Sequence, residues 1–405
     1  MSTSINTSGP LAGVRVLELS QIMAGPVTGL MLADLGAEVI KIEKFPAGDD
    51  SRGYAKPGDP TLAPSFLILN RGKRSVAVDI RKPEGLQLVH RLVAQCDVVT
   101  ENFRLGKAEE LGLGYEQLKQ INPALIYAKI SGYGPKGPLS DRGGFDLVLQ
   151  AFSGLISTTG TTDGVQVKPG NSVADINAGI LAVVGILSAY IQRLKTGLGC
   201  KVETSLLQAS MQQMYWFAAA YFNDGSIAKP NGTGHPLIAP YQTFPCRTGA
   251  IALGGGNQPN WTRIVGVLGR PEWLTDPRFK DPRARVGHRA ELESLMIEAL
   301  ASDDADGWVE RFNQVGVPVG PVHNVAQAME HPQARAVDMV IDVEHADGGT
   351  IRSLGLPMHF NAESPHKTTA APHLGAHTVE VLEAMNFSRQ EIEALLAKGI
   401  IHQHA

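Results

Sequence analysis

The sequence contains few of the residues that mark redox, metal or nucleic-acid chemistry. Its three cysteines, Cys96, Cys200 and Cys246, lie far apart and form no CxxC pair. This spacing argues against a zinc site or a disulfide framework and favours a reducing cytoplasm. The twelve histidines form no HExxH or comparable pair, so we expect no metal. A net charge of -4 offers no basic surface for nucleic acid or an anionic membrane.

Signals for export and membrane insertion are also missing. The N-terminal stretch MSTSINTSGPLAG has no basic segment followed by an apolar one, so we expect no signal peptide. The apolar run at 178–191 is short for a membrane span and is typical of a buried core helix. We therefore expect a cytoplasmic protein with neither membrane nor nucleic-acid partners. The length of 405 residues predicts two or three domains.

The first part of the chain alternates short β-rich runs with helical patterns. A strand, loop, helix and strand follow one another within residues 14–43, which is typical of a βαβ unit in a parallel sheet. The pattern continues to residue 130 and predicts an α/β, Rossmann-like large domain. The first loop contains only Gly25 in place of GxGxxG, which weighs against a nicotinamide oxidoreductase.

A turn-rich segment at 223–236 predicts a linker between domains. The hairpin and helical patterns that follow predict a smaller α+β domain at 226–325. We expect the tail, 326–405, to return to the large domain, which begins with 1–222 and is therefore discontinuous. GGGN at 254–257 lacks the strand and GK context of a P-loop. We interpret it as a turn, with a flexible lid as the alternative.

Asp175 lies just ahead of the apolar run, where it is predicted to cap the helix that ends near Lys195 and Gly197. Free N–H groups and the positive end of the helix dipole would keep this carboxylate ionised. An ionised carboxylate can act as a nucleophile, although a purely capping role is the alternative. Asp146, before LVLQAF, has the same two interpretations: it caps a helix or orients a group in the site.

Taken together, several stretches resemble the class III CoA-transferase family, which includes formyl-CoA transferase and carnitine CoA-transferase. The resemblance runs over nearly the whole chain, and its most specific parts are ENFRLG at 101–106 and VADINAG at 173–179. The other matching stretches are LAGVRVLELSQIMAGP at 11–26, LGAEVIKIEKFPAGDDSRG at 35–53, NRGKRSVAVDI at 70–80, ISGYGPKGP at 130–138, GGFDLVLQAFSG at 143–154, HPLIAPYQTF at 235–244 and VPVGPV at 317–322.

The resemblance implies transfer of coenzyme A from an acyl-CoA to a free carboxylic acid, with Asp175 as the catalytic nucleophile and an aspartyl-CoA thioester as intermediate. It implies CoA and acyl-CoA as substrates, no tightly bound cofactor, and an interlocked homodimer. Cations and amides near strand ends would bind CoA. The residues expected in the CoA groove are Met23, Ala24, Lys44, Asn70, Arg71, Lys73, Arg74, Asn102, Phe103 and Arg104, with Lys136 and Arg52 as possible helpers.

Two other functions stay open at this point. An acyl-CoA racemase of the same family needs a histidine before the aspartate of the GG-x-D segment, but Phe145 stands there and cannot transfer a proton. A non-catalytic binding protein with this fold would not need Asp175. Met23 replaces the glutamine of formyl-CoA transferase, so we do not expect a pocket tuned for oxalate and formate. By analogy with the family, we expect succinyl-CoA as donor and small dicarboxylates or their sulfur analogues as acceptors. His235 is a weaker candidate for contact with the acyl group.

Overall fold

The computed structural model describes residues 9–55 and 63–404. Most of the N-terminal stretch used to predict the absence of a signal peptide lies outside these residues. The described chain forms two compact units. Unit 1 consists of the residues up to Leu155, then Lys168–Ser226 and the chain from Pro332 onward, and unit 2 consists of Ile156–Val167 and Ile227–His331. The predicted small domain, 226–325, did not include the segment 156–167.

The described elements number twelve strands and seventeen helices, with 3-10 turns at Asp50–Gly53, Ile156–Thr158 and Pro271–Leu274. The strands are β1 (Arg15–Glu18), β2 (Glu38–Glu43), β3 (Arg74–Val78), β4 (Val98–Glu101), β5 (Ile126–Ser131), β6 (Lys201–Ser205), β7 (Tyr241–Pro245), β8 (Ala250–Gly254), β9 (Val319–Pro321), β10 (Val340–Glu344), β11 (Thr350–Leu354) and β12 (Ile401–His402). The helices are α1 (Ala24–Asp34), α2 (Pro64–Asn70), α3 (Pro83–Val93), α4 (Lys107–Glu110), α5 (Tyr115–Ile121), α6 (Asp146–Phe152), α7 (Val173–Thr196), α8 (Leu206–Gln212), α9 (Tyr215–Asp224), α10 (Gln258–Leu268), α11 (Pro282–Gly287), α12 (Arg289–Leu300), α13 (Ala305–Gln314), α14 (Val325–Glu330), α15 (Pro332–Ala336), α16 (Thr378–Ala384) and α17 (Arg389–Ala397).

Unit 1 is built on a seven-stranded sheet in the order β12-β3-β2-β1-β4-β5-β6. All neighbouring strands are parallel except β12, a short strand from the chain end that pairs antiparallel with β3. The strand order reverses direction beside β1, and ligands of open α/β sheets bind at such a point, outside the carboxyl ends of the strands. The parallel α/β large domain predicted from the sequence is confirmed.

Successive side chains of the central strands enter two separate cores, one on each face of the sheet. On β1, Leu17 packs with α3 and the C-terminal helices, whereas Val16 packs with α1 and α7. Tyr127 and Ile126 of β5 divide in the same way. This alternation explains why the strands are apolar on both sides, since helices cover both faces of a parallel sheet.

Unit 2 contains the antiparallel sheet β7-β8-β9. The GGGN segment forms the turn between β8 and α10, and Asn257 caps the helix. A turn was the interpretation favoured from the sequence over a flexible lid. A Cβ at Gly255 would lie 2.1 Å from Ile264, so the turn is closely packed. Arg285 is fully buried and donates hydrogen bonds to the carbonyl oxygens of Ala239, Phe279 and Gly256. This packing leaves little freedom for a mobile lid.

Two details of the predicted secondary structure were wrong. Helix α7 begins at Val173 with Ser172 as its N-cap, so Asp175 is the third helical residue. The helix predicted at 206–222 is divided into α8 and α9, because the chain turns at 213–214.

By length and composition alone the 24 residues of α7 could cross a membrane. One such helix is weak evidence, and the burial of its residues Ala178, Ala182 and Ile186 fits a core helix. The cellular location therefore stays a prediction.

Helix α1 and helix α7 approach each other most closely at Gly179, one turn after Asp175. A Cβ on Gly179 would lie 2.7 Å from the carbonyl oxygen of Ala24 and 2.8 Å from Val27 Cγ1. The hydroxyl of Thr28 donates a hydrogen bond across the same contact to the carbonyl oxygen of Gly179, at 3.1 Å. Glycine at 179 therefore sets the distance between the start of α1 and the carboxylate on α7.

Replacing Gly179 by alanine should lower the melting temperature, because the added methyl group forces two helix backbones apart. We expect a cost of about 1–3 kcal/mol, greater than the gain in helix propensity of up to about 1 kcal/mol. The matched control is Gly266→Ala in α10, where a Cβ meets nothing within 4 Å and the melting temperature should rise. Equal calorimetric shifts for the two variants would contradict the close contact.

Candidate active site

The carboxyl ends of β1, β4 and β5 open into a cavity of about 190 Å³ in unit 1. Asp175 enters it from the first turn of α7. The loop after β1 contributes Met23 and Ala24, and the loop after β4 contributes Asn102, Phe103 and Arg104. Of the residues predicted for the site, these five share one cavity with Asp175. Arg142 and the backbone of Gly143 and Gly144, which the sequence analysis did not select, line the same cavity.

A helix N-terminus is expected to lower the pKa of a carboxyl group, but the surroundings of Asp175 raise its pKa. Burial of the carboxyl group, and then the negative charge of Asp146, raise the pKa of Asp175 to about 6. Among the described residues, its carboxylate has no hydrogen-bond or ion-pair partner. The carboxylate is therefore ionised at neutral pH but poorly stabilised, which makes it more basic and more nucleophilic than a solvated aspartate.

Asp146 performs the capping role that was predicted for Asp175. Its Oδ1 accepts a hydrogen bond from the backbone N–H of Ala174, in the first turn of α7, at 3.0 Å. Its Oδ2 accepts one from Gln150 Nε2 at 2.7 Å, and Lys168 Nζ lies 3.7 Å away. The predicted role of Asp146 as N-cap of its own helix is wrong, because Phe145 occupies that position. The sequence could not reveal the contact between Asp146 and α7, since 28 residues separate Asp146 from Ala174.

A second cavity, of about 400 Å³, lies beside the first and shares Gln21 and Phe103 with it. Its rim carries three cations, Lys44, Arg81 and Lys107, and its wall includes apolar side chains. Each cation pairs with a carboxylate at the surface, and such exposed pairs are weak enough to be exchanged for a ligand anion. Two of the predicted site residues, Lys44 and Phe103, line this second cavity, and Phe103 also lines the first. The apolar residues of its wall include Phe45, Ile80, Phe103 and Leu111.

The predicted segment Asn70 to Arg74 does not reach either cavity. Lys73 is fully buried, and its ammonium group donates to Glu18, to the carbonyl oxygen of Pro26 and to Asn70. Burial lowers the pKa of Lys73 to about 8. Arg71 forms a buried bidentate pair with Asp34. These side chains bind internal partners, so the prediction that they line the groove has to be corrected.

Three further cations take other positions. Arg74 pairs with Glu38 of β2 and with Glu380 of α16. Arg52 pairs with Glu43 and lies over the ring of Phe66. Lys136 is exposed and lines neither cavity. The sequence analysis placed Arg74 near a strand end and named Arg52 and Lys136 only as helpers. Strand position alone does not distinguish a cation that binds an internal carboxylate from one that faces the groove.

Arg104 and Arg142 are the cations in the cavity of Asp175. Among the described residues neither guanidinium group has a hydrogen-bond or ion-pair partner, and that of Arg104 lies over the backbone of Gly143. Arg142 could have been suspected from its position next to the GG-x-D segment. An unpaired guanidinium group favours a carboxylate or phosphate.

The described residues contain no cluster of three or more side chains suited to a metal ion. His235, the weaker candidate for contact with substrate, belongs to unit 2. There its Nδ1 accepts a hydrogen bond from the backbone N–H of Leu237 at 3.1 Å, and its ring meets that of Tyr241 edge-on. These contacts suit a turn residue, and its contact with an acyl group stays a prediction.

The fold and the carboxylate-containing cavity define an α/β protein with a ligand site at the carboxyl ends of its strands, and comparisons with known proteins identify its family. The model of CoA-transferase family III matches residues 11–378, so the chain belongs to this family. Succinyl-CoA:glutarate CoA-transferase of Homo sapiens is 36% identical over 403 residues, covering 99% of this chain and 92% of the relative. Acetyl-CoA:oxalate CoA-transferase of Acetobacter aceti is 34% identical, with 92% and 95% covered.

A crystal structure of a CAIB/BAIF family protein from Brucella suis has the same fold. It superimposes with a TM-score of 0.84 at 38% identity, and the alignment covers 93% of this chain and 100% of that structure. The resemblance found in the sequence motifs is confirmed. The protein is an acyl-CoA:carboxylate CoA-transferase, an enzyme that moves coenzyme A from an acyl-CoA to a carboxylic acid.

Replacing Asp175 by asparagine should stabilise the protein, and the gain should depend on pH. The folded pKa of about 6 exceeds the unfolded value of 3.8, so ionisation of Asp175 disfavours the folded state. The penalty is absent below pH 4 and complete above pH 6, where we expect a gain of about 1–3 kcal/mol. Melting curves at pH 4 and pH 7.5 test this, with the exposed Asp141→Asn as control. A gain of the same size at both pH values would contradict the raised pKa.

Proposed function

We propose that Asp175 is the nucleophile of a double-displacement reaction. Its carboxylate attacks the thioester carbonyl of the donor, which forms a mixed anhydride and expels the CoA thiolate. The thiolate then attacks the Asp175 carbonyl carbon, which releases the donor acid and leaves an aspartyl-CoA thioester. The acceptor carboxylate attacks this thioester, and the same two steps in reverse deliver the new acyl-CoA. The observation that carries the proposal is the half-buried, unpartnered carboxylate in the cavity.

The surroundings of Asp175 suit both the attacking carboxylate and the negative charge that develops on a carbonyl oxygen in each step. A carboxylate with no hydrogen-bond donors gives up little solvation when it attacks, since burial has already removed much of it. Each step develops negative charge on a carbonyl oxygen. The backbone N–H groups of Met23 and Ala24, at the start of α1, have no acceptor among the described residues and line the same cavity. They are the donors that we propose for this oxyanion.

We propose that the second cavity holds the nucleotide end of CoA. Its apolar wall suits an adenine ring, and its three cations suit the phosphates. The two cavities share Gln21 and Phe103, so one extended ligand can pass from the cations to Asp175. Lys44, Asn102, Phe103 and Arg104 keep their proposed roles, and Arg81 and Lys107 join them. Lys73 and Arg71 are not part of this proposal, because both are buried on internal carboxylates.

We propose that the transferred acyl groups carry a second carboxylate. The unpaired guanidinium groups of Arg104 and Arg142 lie in the cavity of Asp175, where a distal carboxylate would find them. One relative named above acts, by its name, on succinyl-CoA and glutarate, and both acyl groups derive from dicarboxylic acids. A racemase is less well supported, because Phe145 lines the cavity and has no proton to transfer.

Trapping the intermediate tests the nucleophile. The enzyme is incubated with succinyl-CoA without acceptor, treated with hydroxylamine or borohydride, digested and analysed by mass spectrometry. The peptide that contains Asp175 should be modified in the wild type and in the exposed control Asp141→Asn. Asp175→Asn should remain unmodified and lose roughly 10³-fold or more of its transfer rate. Transfer that proceeds while Asp175 stays unmodified would overturn the proposed intermediate.

We propose that the chain forms a homodimer. The outer face of α7 exposes large apolar residues along one stripe, and α9 buries none of its residues within the single chain. Such extended apolar surfaces mark protein–protein interfaces. The exposed residues of α7 are Ile180, Val184, Ile191 and Leu194, and those of α9 are Tyr215, Trp216, Tyr221 and Phe222.

Sedimentation at low micromolar concentration should give about twice the chain mass of 43.2 kDa. Trp216→Glu should shift this distribution towards monomer, because a buried unpaired charge weakens an apolar interface. The exposed Val325→Glu on α14 is the control and should leave the dimer intact. A wild-type monomer at this concentration would refute the dimer.

A further inference from the structure

The loop between β1 and α1 contains a backbone conformation that its sequence does not favour. Ile22 has a φ of +68°, in the left-handed region that β-branched residues avoid. The other non-glycine residues with positive φ among the described residues are Asp, Asn and Ala. Ile22 lines the cavity of Asp175 and directly precedes Met23 and Ala24. Strain at such a place persists only when neighbouring groups enforce it.

The enforcing group is the carboxylate of Asp49. The backbone N–H of Ile22 donates to both of its oxygens, at 3.1 and 3.3 Å. Asp49 is 2% exposed, and Lys41 Nζ holds its Oδ2 at 2.9 Å. Lys41 also donates to the carbonyl oxygen of Ser20 at 2.8 Å, so one ammonium group fixes both ends of the turn.

The remaining polar groups of the loop backbone are fixed from the other side. The side chain of Asn102 accepts a hydrogen bond from Gln21 N–H at 3.0 Å and donates one to the Gln21 carbonyl oxygen at 2.9 Å. Three consecutive residues, 20 to 22, are thus held by buried or half-buried side chains. The next two N–H groups, those of Met23 and Ala24, have no acceptor among the described residues, and both residues line the cavity.

We propose that Asp49 is a positioning residue of the transferase: it holds Ile22 in the left-handed conformation, which directs the N–H groups of Met23 and Ala24 towards the acyl group at Asp175. The idea rests on the proposed oxyanion role of these two N–H groups. Without the Asp49 carboxylate, Ile22 relaxes to negative φ and the two donors turn away. The ground-state binding of CoA at the second cavity changes much less than the rate of the chemical step.

A rescue experiment separates positioning from a general role in folding. Asp49→Ala should lower kcat roughly 10²-fold, the effect of losing an oxyanion donor, with a smaller change in KM for the acyl-CoA. Glycine adopts positive φ without strain. Because Ile22 lines the cavity, Ile22→Gly alone is the reference for this comparison. The double variant Asp49→Ala/Ile22→Gly should approach the kcat of Ile22→Gly and recover at least tenfold over Asp49→Ala.

The matched control is Asn386→Gly, which relieves a similar backbone conformation, φ +64°, between α16 and α17. Placed in the Asp49→Ala background it should raise the melting temperature without recovering kcat. If Asp49→Ala does not fold, Asp49→Asn, which keeps the size of the side chain, replaces it in the same comparison. Absence of rescue by Ile22→Gly, or equal rescue by Asn386→Gly, would overturn the proposal. Failure to trap Asp175 in the wild type would instead contradict the nucleophile alone.

Discussion

The active site depends on a buried charge cluster beneath it, formed by Glu18, Lys41, Asp49 and Lys73. Glu18 ends β1 and accepts hydrogen bonds from both ammonium groups. Burial opposes the charge of Lys41, but Glu18 and Asp49 raise its pKa above the usual value. Although burial also opposes the charge of Asp49, Lys41 lowers the pKa of this carboxyl to about 2. Lys41 and Asp49 therefore favour each other's charged form, and each carboxylate of the cluster lies within ion-pair distance of an ammonium group.

This cluster connects the fold to the chemistry. Lys73 donates to the carbonyl oxygen of Pro26 in α1, and Lys41 donates to that of Ser20. The sheet thereby fixes both the loop and the start of the helix that line the cavity of Asp175. Removal of one partner would leave an uncompensated buried charge, which is far more costly than removal of a surface pair. A site on such a support can keep its donors oriented before the substrate arrives, and preorganised donors contribute most to stabilising a developing oxyanion.

The sequence predicted the strands and helices of this enzyme well, but the assignment of charged residues to the site was less accurate. Strand and helix periodicity located the parallel sheet, and Asp175, Met23 and Asn102 were placed in the site by local motifs. The errors concern pairs that are distant in sequence. Lys73 meets Glu18 across 55 residues, and Asp146 meets the start of α7 across 28. A motif identifies that a cation is present, but only the tertiary structure determines whether a carboxylate has already neutralised it.

The same reasoning explains why Asp146 and Asp175 are better understood as a pair. Asp146 contacts a backbone N–H, Gln150 and, more distantly, Lys168, so its carboxylate is held in place. Asp175 has no such partners and carries the electrostatic cost of both its burial and its neighbour. Two neighbouring carboxylates thus differ in their surroundings: one is held by hydrogen-bond donors, and the other has a raised pKa and no partner among the described residues. The instability of Asp175 as an anion is relieved when it becomes a neutral anhydride or thioester, so the environment that destabilises the free enzyme favours the intermediates of the proposed reaction.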